Sequence, residues 1–275
     1  MKKIHFCAGL PRSGSTVLMN ILQQNPQIFT TGTCALTPVV SDLIIKSRFN
    51  ESFQAMNTED ADNAVYGMVQ GATQGWFEGL TSKPVVISKN RGWAKLHHLY
   101  PNSKIIVTVR DLRDIVESFD KINLRIKSLH TFGDDGKSYG CMCEDEKYHY
   151  HFQTSNSLSD SLYTDMNRLM HLWLNTSDKV RFIRYEDLVS NPDEVLKEVY
   201  DFIGVEWFNH DLNNIQQSTI FEHDNAYFRE KTSHVVKPQL VNNSKSTRNL
   251  SQKFHNKVVS EHKWFYDGFY PNPQY

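Results

Sequence analysis

Lys104 to Val109 reads KIIVTV, with apolar, mostly β-branched residues at consecutive positions instead of alternate ones. A strand with one wet face alternates, whereas a continuous run of this kind suits a strand covered on both sides. Lys3 to Ala8, Pro84 to Ser88 (PVVIS) and Val180 to Tyr185 (VRFIRY) are further short strand-like runs. Between them, apolar residues recur at helical spacing. The spacing predicts helices over Ser15 to Gln24, Asp60 to Leu80, Asp111 to Arg125 and Asp160 to Asn175. Another opens at Asn191-Pro192-Asp193 and runs to about Ile203, where Gly204 supplies the C-cap. A weaker helix is expected over Ser251 to Phe265. Strands alternating with helices imply an α/β fold with a central parallel sheet flanked by helices.

The chain has 275 residues and no repeat or low-complexity linker, so one domain over 1–275 is expected. Residues Lys127 to Ser159 break the rhythm, being polar and rich in Gly, Asp, His and Tyr, and read as an irregular insertion. Lys and Arg total 30 against 31 Asp and Glu, a net charge of −1 that argues against non-specific nucleic-acid binding. Any anion must therefore be held by local charge. No stretch approaches the roughly 18 apolar residues of a membrane span. The N-terminal MKKIHFCAGL holds His5 and runs straight into a glycine turn, so it reads as a strand and not a secretory signal. A cytoplasmic protein with no membrane partner is the expectation. Four cysteines are too few for a disulfide scaffold. Cys7 and Cys34 read as buried thiols. Cys141, Cys143, His149 and His151 lie close in sequence but match no zinc spacing, so no metal is assigned.

Gly9-Leu10-Pro11-Arg12-Ser13-Gly14-Ser15-Thr16 joins the first strand to the first helix. It has the Walker A frame G-x-x-x-x-G-K-S/T, but Ser15 stands where the lysine belongs. Two glycines let successive backbone N–H groups face one centre, and the helix N-terminus adds partial positive charge. Ser13, Ser15 and Thr16 offer hydroxyls and Arg12 a bidentate fork. Alone, this turn specifies only an anion.

A second anion site is legible in VRDLRDIVES, residues 109–118. Arg110 falls at the end of a buried strand, where open α/β sheets meet their ligands, and Ser118 follows eight residues later. Together with GLPRSGST, this pattern resembles the sulfotransferases that use 3′-phosphoadenosine 5′-phosphosulfate (PAPS), and so implies their P-loop-like fold. In that family the first loop holds the 5′-phosphosulfate, and an Arg and a Ser at this spacing hold the 3′-phosphate. Three further stretches resemble the tyrosylprotein branch. Ser88-Lys89-Asn90 matches the segment whose Lys contacts the leaving phosphosulfate. Arg184-Tyr185-Glu186-Asp187-Leu188-Val189 matches the part that helps hold the adenosine. His234-Val235-Val236-Lys237-Pro238 matches a late loop whose Lys returns to the nucleotide.

The resemblance implies transfer of sulfonate from PAPS to a hydroxyl acceptor, leaving adenosine 3′,5′-bisphosphate (PAP), with no metal required. Lys89 and Arg12 are the implied catalytic cations. Arg12, Ser13, Gly14, Ser15, Thr16, Arg110, Ser118, Tyr185 and Lys237 are the implied nucleotide contacts. Taken singly, Arg110–Asp111 also reads as a helix-start ion pair, Tyr185 as a packed strand residue and Lys237 as a solvated lysine.

The catalytic base is not matched. In the tyrosylprotein branch a Glu stands 21 residues after the loop Arg and five before a Pro; here Thr33 and Pro38 occupy those places. The Lys-x-His of cytosolic sulfotransferases is absent too, with Lys89-Asn90-Arg91 in its place. The irregular segment, His223 and Asp224 remain candidates. The acceptor stays open among a sugar, a small alcohol, a phenol and a peptide tyrosine. Two other readings stand beside this one. A nucleotide kinase or NTPase predicts the missing Walker lysine, and a non-catalytic PAP-binding relative would explain the missing Glu.

Overall fold

Among the described residues, five strands form one sheet: β1 (Lys3–Gly9), β2 (Ile28–Thr30), β3 (Val85–Lys89), β4 (Ile105–Val109) and β5 (Val180–Arg184), in the order β2-β3-β1-β4-β5. Every pairing is parallel. The structure is a computed structural model that describes residues 1–32, 34–125, 142–153, 162–175, 177–217, 236–240 and 249–271. The helices are α1 (Ser15–Leu22), α2 (Leu36–Arg48), α3 (Glu51–Gln54), α4 (Thr58–Leu80), α5 (Trp93–Leu96), α6 (Leu112–Arg125), α7 (Glu144–Phe152), α8 (Leu162–Leu174), α9 (Tyr185–Ser190), α10 (Pro192–Ile203), α11 (Gln252–Glu261) and α12 (Lys263–Phe269).

The continuous apolar runs are explained by two cores, one on each face. Ile4, Phe6, Ala8, Val86, Ile105 and Val107 point into the first, with Val69 and Phe77 of α4 and Phe254 and Phe265 from the C-terminal helices. Cys7, Val85, Ile87, Ile106 and Ile183 point into the second, against α1 and α10. Neighbouring residues of one strand thus serve opposite layers, as side-chain alternation requires. Gly204 closes α10 at φ 67°, as its place after Ile203 predicts.

The differences from the sequence reading come from weak local patterns and from partners remote in the chain. The short β2, at one edge of the sheet, and the helices α2, α3 and α5 carry weak patterns and were not expected. Within the segment expected to be irregular, residues 144–152 are helical. Glu146 and Cys143 form a capping box, three acidic residues fill the first turn, and Tyr148 and Phe152 bury against Phe254 and His262. Polar composition hid a helix whose apolar contacts come from the far end of the chain. The C-terminal helix breaks at His262 and restarts, giving α11 and α12 instead of one element.

Candidate active site

The chain runs from β1 out to β2 and back to β3 on one side of the sheet, then crosses to β4 and β5 on the other. In such sheets a reversal of this kind marks the usual ligand position, at the carboxyl ends of the strands around β1. Register places the predicted residues there. Gly9 pairs with Thr108, Cys7 with Lys89, and Val109 with Arg184. The loop after β1, Lys89, Arg110 and Tyr185 therefore all leave the same edge of the sheet.

The loop needs its glycines. Gly9 has φ 123°, and a Cβ there would lie 2.1 Å from the Thr108 carbonyl oxygen. Gly14 has φ 85°, and its Cβ would lie 2.5 Å from Cδ2 of Tyr185. Arg12 is also left-handed, at φ 58°, a conformation that costs a non-glycine residue about 1–2 kcal/mol. That turn carries its guanidinium towards α6, where Nε donates to Ser118 Oγ at 3.1 Å. Arg110 donates from a terminal nitrogen to the Arg12 carbonyl oxygen at 3.1 Å, and its guanidinium stacks 4.5 Å from the Tyr185 ring centre. Its Nε is buried with no hydrogen-bond partner among the described residues. On the other side of the loop, Lys89 Nζ donates to Thr16 Oγ1 at 2.6 Å, while its backbone N–H donates to Thr31 Oγ1.

Arg12, Ser118, Arg110 and Tyr185 thus come together, with Lys89 and Thr16 at the neighbouring end of the loop. Gly14 and Ser15 sit at the start of α1, as expected. Ser13 differs. It is buried, and its hydroxyl is engaged by the Leu10 carbonyl and by Thr108 Oγ1 at 2.6 Å, so it braces the loop from beneath. The Arg110–Asp111 ion pair is not formed; Asp111 is clamped by the guanidinium and backbone N–H of Arg113 instead. Tyr185 begins α9 and is not a strand residue. Lys237 is exposed on a stretch whose Pro238 carbonyl accepts from Ile215 N–H, and its assignment to the nucleotide rests on the resemblance. Thr33, His223, Asp224 and Cys141 lie outside the described residues.

A family model described as "Sulfotransferase family" matches residues 5–209, about three-quarters of the chain. The chain belongs to the sulfotransferase family. It is 29% identical over 114 residues to "Membrane-associated sulfotransferase kil1" of Dictyostelium discoideum, a match covering 40% of this chain and 21% of that protein. The chain thus spans only about a fifth of that relative. It is 22% identical over 213 residues to a "Putative protein-tyrosine sulfotransferase" of Caenorhabditis briggsae, covering 75% of this chain and 67% of that protein. Among solved structures it resembles the sulfotransferase domain of the Synechococcus olefin synthase, at 20% identity and a TM-score of 0.53, covering 95% of each chain. It also resembles mouse SULT7A1 complexed with PAP, at 12% identity and a TM-score of 0.50, covering 98% of this chain and 86% of that one. These likenesses place the five-stranded parallel sheet and its flanking helices within the sulfotransferase fold.

Several residues of this family member were missed by sequence reasoning. Asp165 is buried between Arg91 at 2.6 Å and Arg168 at 2.7 Å, tying α8 to the end of β3. Glu117, Asp111 and Glu186 each stand next to a predicted site residue and are held by the C-terminal segment. Burial alone would raise the Asp111 carboxyl, but its bonds to Arg113 and Tyr266 hold it below the usual carboxylate range. These tethers have no local signal, because Arg91, Asn249, Tyr266 and Tyr270 are remote in sequence from the carboxylates they hold. His151 is buried with its ring stacked on Phe119, and burial pushes its pKa down to about 3. Among the described residues no group of three His, Cys, Asp or Glu side chains is placed to hold a metal. Nor is any helix among them long and apolar enough to cross a membrane.

Proposed function

We propose that this protein transfers sulfonate from PAPS to a hydroxyl acceptor, leaving PAP. The observation that carries the proposal is the bond from Arg12 to Ser118, which joins the first loop to the Arg110–Ser118 segment as one continuous wall. A ligand with phosphates at two ends fits such a wall better than one with a single phosphate chain. The buried Nε of Arg110, without a hydrogen-bond partner among the described residues, and the Tyr185 ring beneath it fit the 3′-phosphate and adenosine end. The N–H groups at the start of α1, with Thr16 and Lys89, fit the phosphosulfate end.

PAPS supplies a sulfonate activated by its bond to phosphate, and transfer leaves negative charge on that phosphate. Lys89, poised on Thr16 Oγ1, and Arg12 are the cations that would meet this charge. Their contribution is positioning and electrostatic stabilisation. The acceptor is a hydroxyl compound, and the printed name of the Caenorhabditis relative makes a peptide tyrosine the first to try. A sugar, a small alcohol and a simple phenol complete the set.

Calorimetric titration with PAP, ADP and ATP, with and without Mg²⁺, tests the donor site. The expected result is metal-independent binding of PAP in preference to ADP. Stronger binding of ATP with Mg²⁺ would return the loop to the kinase class. Consumption of PAPS with none of the acceptor classes would leave a PAP-binding protein without turnover.

A further inference from the structure

Three carboxylates lie next in sequence to three residues of the proposed nucleotide site, and all three are held by residues 249–270. Glu117 precedes Ser118; it accepts from the backbone N–H groups of Asn249 at 2.9 Å and Leu250 at 3.0 Å, and from His255 Nε2 at 3.1 Å. Asp111 follows Arg110; its Oδ1 accepts from the Tyr266 hydroxyl at 3.1 Å. Glu186 follows Tyr185; its Oε2 accepts from the Tyr270 hydroxyl at 2.8 Å, while its Oε1 accepts from the Asp111 backbone N–H at 3.2 Å. That last bond ties the turn after β4 to the turn after β5. Tyr266 and Tyr270 are one helical turn apart and both are buried.

We propose that the C-terminal segment, through Tyr266 and Tyr270, positions Arg110 and Tyr185 for the 3′-phosphate. The inference rests on the PAPS reading above but goes beyond it, since this segment lies outside the stretch matched by the family. The physical logic is that a stacked guanidinium needs both its plane and the ring under it fixed. Arg110 sits on a turn between β4 and α6, and its ring partner begins α9. Glu186 cross-links the two, and a carboxylate anchored at only one oxygen is free to swing. The Tyr270 hydroxyl fixes the second oxygen. Tyr266 fixes Asp111, whose side chain also caps α6 by accepting from the Arg113 N–H at 2.9 Å. These tyrosines are positioning residues that act through Asp111 and Glu186 and not by touching the nucleotide.

The test is titration of wild type, Tyr266→Phe, Tyr270→Phe and the double variant with PAP and with adenosine 5′-monophosphate, which lacks the 3′-phosphate. The readout is the ratio of the two affinities, which global stability of the folded fraction does not move. In the double variant this ratio is expected to fall about tenfold, with monophosphate affinity within about twofold of wild type. An unchanged ratio, whether both affinities fall together or neither does, would reduce the hydroxyls to fold support and overturn the inference. If the wild type itself fails to prefer PAP, the donor reading falls first and this inference with it. Should the double variant not fold, Glu186→Gln measures the same ratio, with a smaller drop in the same direction expected.

Discussion

Arg12 Nε lies 3.1 Å from Ser118 Oγ although 106 residues separate them in the chain. The bond closes the gap between a loop that reads as a phosphate cradle and the helix α6 that follows β4, the strand beside β1 in the sheet. It also gives a use to the left-handed backbone of Arg12, since a relaxed φ would aim the side chain elsewhere. Replacing Ser118 by Ala removes a hydroxyl facing the proposed 3′-phosphate. PAP affinity is expected to fall by about 10-fold to 100-fold, the range for a hydrogen bond to a charged group, while adenosine 5′-monophosphate binding stays within a few fold. Equal losses for both ligands would show that Ser118 serves the loop and not the 3′ end.

Lys89 separates binding from turnover. Its ammonium is held by Thr16 Oγ1 at the helix start, where charge on a leaving phosphate would develop. Lys89→Met is expected to lower kcat by about 100-fold or more while PAP affinity changes less than about tenfold. A variant that keeps full turnover with any accepted hydroxyl compound would remove Lys89 from the mechanism.

Two glycine substitutions should act in opposite directions. Gly14→Ala places a methyl 2.5 Å from the Tyr185 ring at φ 85° and should destabilise the protein by about 1–3 kcal/mol with loss of nucleotide binding. Gly75 lies on the exposed face of α4, where an added Cβ meets nothing within 4 Å. Gly75→Ala should stabilise by about 0.5–1 kcal/mol. Urea or thermal melts of both variants check this, and a destabilising Gly75→Ala would mean that the face is covered.

Acid should loosen the fold early. Burial, aided by Lys104 and Lys3, pushes His5 down to about 4, and burial pushes His262 to about 4. Burial and Lys147 push His151 to about 3. The folded state holds these rings neutral, whereas the unfolded chain protonates near 6.5. Their contribution is therefore complete above about pH 6.5 and lost as pH falls towards about 4, at about 1.4 kcal/mol per unit for each fully shifted group. Melting temperature should fall across that window, and His151→Phe should flatten the slope. A melting temperature constant from pH 7 to 4.5 would contradict the assignment of buried neutral histidines.

Legibility in the sequence followed the range of the interactions. The strand and helix pattern around KIIVTV was readable because a residue's layer depends on its immediate neighbours along the strand. The glycines of the loop were readable because positive φ is a local demand. Helix α7 was not, since its apolar partners Phe254 and His262 lie about a hundred residues away. The engagement of the Ser13 hydroxyl with Thr108 was hidden for the same reason. No local rule marks Asp111, Glu117 and Glu186 as tethers, and none marks Tyr266 and Tyr270 as their partners.

The sequence by itself determined the α/β alternation, the phosphate-type turn after β1 and the spacing of Arg110 and Ser118, because each is set by residues within about ten positions of one another. Only the tertiary structure decided that these pieces form one wall. Strand order and register put the ends of β1, β3, β4 and β5 at one edge. Those are sums over pairings between strands far apart in the chain, which local periodicity does not encode.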